Sequence, residues 1–496
     1  MGAWFAGSFE RCLELCDAVR HRDPATRTNI ALLRARALLR LDRADDALQT
    51  LRDATAIPAG TDESLTTRML TGAARVKRGD VDAGLAILLS ATADARAAHP
   101  TIRSELALNV GLGHYSRRDY AAAERALRSV AGDSDIVYAR AMHIRARIAQ
   151  ARGSNDRAAA LCVAALRQLD ECRHHDAFFE ANTTRLLAHL ALERFDREAW
   201  SVVAARRTRL DPAAQGLAEP LFWVAYCASA YALDIEGDAL GAAREARAAE
   251  ALAPSDALRV MARCKRASVA RFSGEEIAYR DHAESALELF ATLHLGELSA
   301  DERIVAPVLA EELASIDPPR AAAIFASYRA ADPLPPIYVS QSPANEGFRA
   351  FVEATVAEHR GDSNAAAERY RVAVELYTRI GYRRRAAAAA LRIARLTADR
   401  KMLATSDRLT ARVSPRSWMR REVSALASRG EKLTHVQREV LVLICQGKSN
   451  PEIARLRDRS LHTVRNLVAR LFEIFEVTSR EELAVEGVRR GIYIPR

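Results

Sequence analysis

Along the first 400 residues, apolar positions recur at helical spacing and are punctuated by one repeating phrase. It consists of a turn residue, four residues, then a small residue that opens an amphipathic run. Instances are Gly7…Cys12, Asp42…Ala47, Gly79…Gly84, Arg118…Ala123, Gly153…Ala158, Arg194…Ala199, Gly237…Ala242, Ser273…Ala278, Asp317…Ala322 and Gly361…Ala366. Successive steps are 35, 37, 39, 35, 41, 43, 36, 44 and 44 residues, so the period wanders. Two helices of about 14 residues with a short turn fill ~34–40 residues, and one such hairpin cannot bury its apolar stripe alone. Stacked neighbours can, and a small residue at the start of the second helix lets two backbones approach. The pattern therefore predicts an all-α, right-handed α-solenoid over residues 1–397.

The best copy is Val110-Gly111-Leu112-Gly113-His114-Tyr115-Ser116-Arg117-Arg118-Asp119-Tyr120-Ala121-Ala122-Ala123. It resembles a tetratricopeptide repeat (TPR), with Gly111 and Ala123 small and Tyr115 and Tyr120 aromatic. The first unit begins at its turn, which leaves the opening helix, Ser8 to Val19, without a preceding partner; a start upstream of Met1 gives the same appearance. Its stripe of Phe9, Cys12, Leu13, Cys16 and Val19 has to be covered by the next hairpin or by another subunit. Four prolines in Asp332-Pro-Leu-Pro-Pro-Ile-Tyr-Val-Ser-Gln-Ser-Pro343 forbid regular helix there and predict a long loop.

The pattern changes after Thr397. Residues 398–430 read as a basic connector containing a short helix, and four helix signals follow within 431–496. Thr434 and Gln437 form a capping box ahead of the apolar face Val440, Leu441 and Ile444, and Gly447 is a stop. Asn450 can cap a second helix with Pro451 at its first position, running to about Leu456. After a turn at Arg457–Arg459, Ser460 caps a third helix from Leu461 to Phe475. Ser479 and Glu482 form a second capping box and open a fourth helix ending near Gly491. A basic helix behind a tight turn and a scaffold helix is a helix-turn-helix arrangement.

These residues resemble the LuxR-type helix-turn-helix family. The matching elements are Leu433-Thr434, Glu439-Val440-Leu441, Gly447, Ser449-Asn450, Glu452-Ile453-Ala454, Ser460, Thr463-Val464, Arg465-Asn466, Val477, Ser479-Arg480 and Glu482-Leu483. The resemblance implies a DNA-binding domain whose third helix enters the major groove and whose fourth supports dimerisation. It assigns Arg465, Asn466 and Ala469 to base-facing positions and Ser460 and Thr463 to phosphates, where Arg457, Arg459 and Arg470 are also expected. The chemistry agrees: Arg can bond guanine O6 and N7 together, and Asn the adenine N6 and N7. The chain departs from the family pattern at Val436, Arg457, Arg459, Leu467, Ala469, Ile474 and Phe475. Burying Arg457 or Arg459 unpaired is costly, so either the turn is repacked or both point at phosphates.

Charge supports this division. Residues 400–496 carry 20 Lys and Arg against 11 Asp and Glu, which is the whole of the chain's net +9. A neutral body with a basic end suggests a sensing part joined to a polyanion-binding part. Alanine occupies 99 of 496 positions while aromatics make up 6%, as helices rather than broad sheets require. Hydrophobic content of 49%, with 22 Gly and 16 Pro, excludes collagen and low-complexity disorder. No apolar run nears the ~20 residues that span a bilayer, and the first residues have no signal-peptide pattern. Seven scattered cysteines fit buried thiols in a cytoplasmic setting.

No enzyme is expected. Gly447-Lys448-Ser449 resembles the tail of a phosphate-binding loop, but Val442 stands where the earlier Gly is required. His174-His175-Asp176 reads as a solvated helix end rather than a metal site, and Cys12 and Cys16 as core. No metal, cofactor, ATPase or receiver signature is present. The expected function is that of a cytoplasmic bacterial transcription regulator, the bacterial assignment resting on the family resemblance. Expected partners are double-stranded DNA, a second copy of the chain on the operator, RNA polymerase, and a protein or small-molecule effector on the solenoid. No membrane partner is expected. The alternative is a protein-interaction scaffold whose degenerate helix-turn-helix no longer binds DNA.

Overall fold

The computed structural model describes residues 2–19, 23–55, 61–130, 135–298, 302–331, 343–430, 433–475, 477–489 and 492–493. Helix is the regular secondary structure found here, with no strand among the described residues. No helix among them is long and apolar enough to cross a membrane. Up to about residue 400 the described residues form a TPR-like array of antiparallel helix pairs, such as Thr61–Arg78 with Val81–Asp94 and Pro343–His359 with Ser363–Arg379.

Left-handed residues close these hairpins, because only that conformation reverses the chain within a few residues. They fall at Gly7, Asp42, Gly79, Arg118, Gly153, Gly237 and Gly361, as the repeating phrase predicts. Two expected turns are displaced by one residue, to Phe195 rather than Arg194 and to Gly274 rather than Ser273. Asp317 is not left-handed; its carboxylate instead accepts from Arg320 N at 3.1 Å, at the start of Pro318–Ala331. Further left-handed turns at Gly381 and Ala398 extend the same folding past Arg379, through Arg383–Thr397 and Arg400–Leu409.

Most of the small residues do what the pattern requires, although in the ninth unit Ala321 is buried in place of the expected Ala322. Ala47, Ala123, Ala158, Ala242 and Ala366 are fully buried. A Cβ on Gly84 would lie 2.6 Å from the Gly72 carbonyl oxygen, so these two helices touch backbone to backbone. In the eighth unit the displaced turn buries Tyr279 in place of the expected Ala278.

The array also closes on itself. Phe9, Cys12, Leu13 and Cys16 of the opening helix are buried against Ala37, Leu38 and Ala47 of the next hairpin. Distant residues complete the cover: Phe5 stacks on His174 at 5.1 Å and Phe9 meets Phe178 edge-on at 5.3 Å. Val19, expected on the same stripe, stays 48% exposed. His174-His175-Asp176 is a helix end at which both histidines are exposed, as expected, and only the aspartate is not. Asp176 is buried, accepts from Phe179 N at 2.9 Å and pairs with Arg140, while His175 pairs with buried Glu180 at 2.7 Å.

Helix Arg383–Thr397 packs back onto Ala177–Arg194, and residues 146–235 and 350–393 share one core. There Arg384 and Arg385 pair with buried Glu193 at 2.6 and 3.1 Å, and Arg384 reaches Asp234 at 2.9 Å. Burial pushes the Glu193 carboxyl up, yet the two guanidiniums outweigh it and hold its pKa at about 2. Asp234 lies in a π-helical turn, Ala232–Glu236, to which the chain before the C-terminal module is fastened. Ser417 Oγ donates to the Asp234 carbonyl at 2.6 Å and Ser414 N to Ile235 O at 2.9 Å. Trp418 stacks on Phe272 with ring centres 4.2 Å apart. The expected loop at 332–343 lies almost wholly outside the described residues.

Candidate nucleic-acid interface

Four helices build the C-terminal module: His435–Cys445, Asn450–Leu456, Leu461–Phe475 and Arg480–Arg489. The first is opened by Thr434, whose Oγ1 accepts from Gln437 N at 3.2 Å while Gln437 Oε1 accepts from Thr434 N at 2.8 Å. Gly447, left-handed, ends it. The second helix is capped one residue earlier than expected: Ser449, not Asn450, precedes it. Ser449 N and Oγ both donate to the Glu452 carboxylate at 2.7 Å, which holds that acid below its usual pKa. Asp458, left-handed, forms the turn to the third helix, where Thr463 N donates to Ser460 Oγ at 3.1 Å. The fourth helix starts at the expected box, with Glu482 N donating to Ser479 Oγ at 3.1 Å. Its expected end at Gly491 lies outside the described residues.

The third helix turns one stripe inward. Val464, Val468, Leu471 and Phe475 are buried against Leu441, Ile444, Ile453 and Leu483. At 100° per residue the opposite face carries His462, Asn466, Ala469 and Glu473, with Arg465 and Arg470 on its two flanks. All six are exposed. Every residue expected to meet DNA is therefore at the surface, on the outer side of the third helix or on the turn before it.

Their partners differ. Arg465 and Arg459 make no ion pair or side-chain hydrogen bond among the described residues. Arg457 is held by Glu439, which also lies 3.3 Å from His435. Arg470 pairs with Glu473. Asn466 Nδ2 lies 3.2 Å from His462 Nε2, and the Ser460 and Thr463 hydroxyls are 2.8 Å apart. Neither Arg457 nor Arg459 is buried, so the two departures in the turn leave no unpaired charge in the core. Residues 448–470 carry six Lys or Arg against two acids, a local net of +4.

Three residues have roles that the sequence did not assign. His462 stands four residues before Asn466, a helical spacing that placed it on the same face. Glu439 restrains Arg457, which no local pattern indicates. Arg480 donates to Asn450 Oδ1 at 2.8 Å and to the Lys448 carbonyl, locking the fourth helix onto the turn between the first two. Close approach completes the lock: a Cβ on Gly487 would lie 2.5 Å from Cys445 Sγ. Burial pushes that thiol up to about 11. Among the described residues no His, Cys, Asp and Glu cluster could hold a metal ion.

The module also meets the helices before it. Ser424 Oγ donates to the Arg489 carbonyl at 2.6 Å, and Arg489 pairs with Asp407 at 3.4 Å.

Residues 431–486 match the family model of bacterial regulatory proteins, luxR family (GerE). No curated protein matches the chain. Among solved structures the chain is similar to a Rap protein complexed with competence and sporulation factor, at 11% identity and a TM-score of 0.44, over 72% of this chain and 99% of that one. It is also similar to the APC/C hetero-tetramer Cut9-Hcn1, at 12% identity and a TM-score of 0.40, over 97% of this chain and 87% of that one.

Proposed function

We propose that the chain is a transcription regulator that binds duplex DNA through Leu461–Phe475, with the helical array receiving the signal. The observation that carries this reading is the outer face of that helix: exposed, preceded by a basic turn, and headed by an Arg465 with no partner of its own among the described residues. In the groove, Arg465 takes a guanine edge and Asn466 an adenine edge, while Ala469 offers a methyl to thymine. Ser460, Thr463 and the N–H groups at the start of the third helix donate to phosphate oxygens, with Arg459 beside them. Arg457 and Arg470 reach phosphate once they leave Glu439 and Glu473. A second copy bound to the same operator doubles these contacts and sets the half-site spacing.

The scaffold reading draws on one observation, Glu473 on the outward face, where an acid repels the backbone. Binding of the full chain to promoter fragments over a salt series separates the two. A regulator shows sequence preference and a steep fall in affinity with salt; a scaffold shows neither.

A further inference from the structure

Most of the chain's positive excess lies outside the helix-turn-helix module. Residues 400–430 carry eight Lys and Arg against two acids, whereas 431–496 carry twelve against nine and residues 1–399 balance to zero. These cations stand on folded chain. On the helix Arg400–Leu409 the residues Arg400, Lys401 and Arg408 fall within one sector of about 100°, opposite buried Ser406. All three are exposed, as are Arg412 and Arg416 in the turn that follows. None of the five makes an ion pair or side-chain hydrogen bond among the described residues.

The acids of this segment are engaged elsewhere. Asp399 caps the helix, accepting from Lys401 N at 2.9 Å and from Met402 N at 3.2 Å. Asp407 pairs with Arg420 at 2.6 Å and with Arg489 of the module at 3.4 Å, and Glu422 lies 3.7 Å from Arg395. Like charges left unanswered on one face repel each other, and a polyanion relieves that repulsion. The face is also held in place. Ser414 and Ser417 bond the π-helical turn, and a Cβ on Gly237 would lie 2.4 Å from the Arg416 carbonyl carbon, so the turn rests directly on the array.

The kind of polyanion follows from what the face lacks. Among residues 398–427 no large apolar side chain is exposed, so there is no anchor of the sort a protein partner buries. Duplex DNA needs none, because its phosphates are held through charge. The face also adjoins the module, since Asp407, which meets Arg489, directly precedes Arg408. We propose that Arg400, Lys401 and Arg408, with Arg412 and Arg416, form a second DNA-contacting surface that takes the phosphate backbone beside the operator, whatever its sequence. This rests on the reading of the chain as a DNA-binding regulator and extends it. The module reads bases, and the basic face adds affinity and lengthens the stretch of duplex that is covered.

The test is binding of the full chain, over a salt series, to a promoter fragment that it protects. One duplex is cut to ~20 bp about the protected centre, enough for two half-sites one helical turn apart, and the other keeps its flanks to ~60 bp. The longer duplex should bind at least about tenfold tighter. A triple variant, Arg400→Gln, Lys401→Gln and Arg408→Gln, should lose that gain and flatten the log–log salt slope by about two to three. Preference for the operator over a scrambled duplex of equal length should persist, because phosphate contacts carry no sequence information. The three side chains are exposed and unpartnered, so the variant should melt with the wild type. Arg27→Gln, Arg96→Gln and Arg103→Gln together remove the same charge from exposed positions of the array and should leave the slope unchanged. The proposal is overturned if the flanks add no affinity, if the triple variant keeps the wild-type slope, or if the array control loses as much. A triple variant that binds DNA normally but no longer associates with RNA polymerase would assign the face to an acidic protein surface instead. Absence of any DNA binding by the wild type sinks the regulator reading as well, whereas salt-dependent binding indifferent to the three substitutions sinks this inference alone.

Discussion

Trp418 donates its indole N–H to the Asp234 carboxylate at 2.7 Å, fastening the helix that leads into the C-terminal module to the π-helical turn of the array. Trp418→Phe keeps an aromatic ring against Phe272 and removes only the donor. A hydrogen bond to a charged group contributes about 1.5–3 kcal/mol, and Asp234 retains Arg384, so the expected loss is near the lower figure. Limited proteolysis should then cut faster within 398–430, before the array itself opens.

Arg465→Ala should cost about 1–3 kcal/mol of specific DNA binding and relax preference at one base, with the melting curve unchanged because the side chain is exposed and unpartnered. Glu439→Gln works in the opposite direction. Freeing Arg457 to meet a phosphate should tighten binding and steepen the log–log salt slope by about one. Band-shift titrations at several salt concentrations read both.

Arg480→Met removes the donor to Asn450 and to the Lys448 carbonyl while keeping a comparable stem. The fourth helix should loosen from the first two, with a loss of about 1–3 kcal/mol. Hydrogen exchange over residues 480–489 should rise while exchange in the array stays fixed.

Acid should weaken the array by a route that is assignable. His189 lies 2.9 Å from the Tyr382 hydroxyl, and burial, reinforced by Arg385, Arg384 and Arg185 against the opposing charge of Glu193, lowers its pKa to about 4. The ordinary value is 6.5, so the unfolded chain binds the proton first. Stability is therefore full above pH 6.5 and declines as the pH falls toward 4. His143, lowered to about 3 by burial and nearby arginines, acts in the same sense. Glu193, with a folded pKa of about 2, adds a loss below its unfolded value, near 4.5. Melting curves across pH 4–7 should flatten at the upper end in His189→Asn.

Backbone geometry sets two substitutions against each other. Gly84→Ala drives a methyl into the Gly72 carbonyl and the Val76 backbone, which cannot rotate aside, and should cost about 1–3 kcal/mol. Ala398→Gly relieves a left-handed alanine (φ 54°) and should leave the protein as stable or stabilise it by up to ~1 kcal/mol. Denaturant midpoints distinguish the two.

Turns and caps were legible because their chemistry is local. Gly79, Gly153 and Gly361 announce a left-handed residue, and Thr434 with Gln437 announces a helix start. Phe195 and Ala398 take the same conformation with no such preference, so nothing short-range marks them. Gly381…Ala386 does obey the phrase, but twenty residues after Gly361, half the usual step, because the helix after it turns back at once. The outer face of the third helix followed from its period of apolar residues. The pairing of Arg457 with Glu439 and the contact of Lys265 with the Tyr226 ring depend on how distant helices dock, which no short window of sequence contains.

Arg384 and Glu193 are 191 residues apart in the chain and 2.6 Å apart in space. An open string of repeats can gain or lose a unit and merely change length. Here an inserted or deleted hairpin between those two residues would carry one partner past the other and strand a buried carboxylate. The number of repeats between them is consequently a fixed quantity, so variation in length is expected only outside that interval.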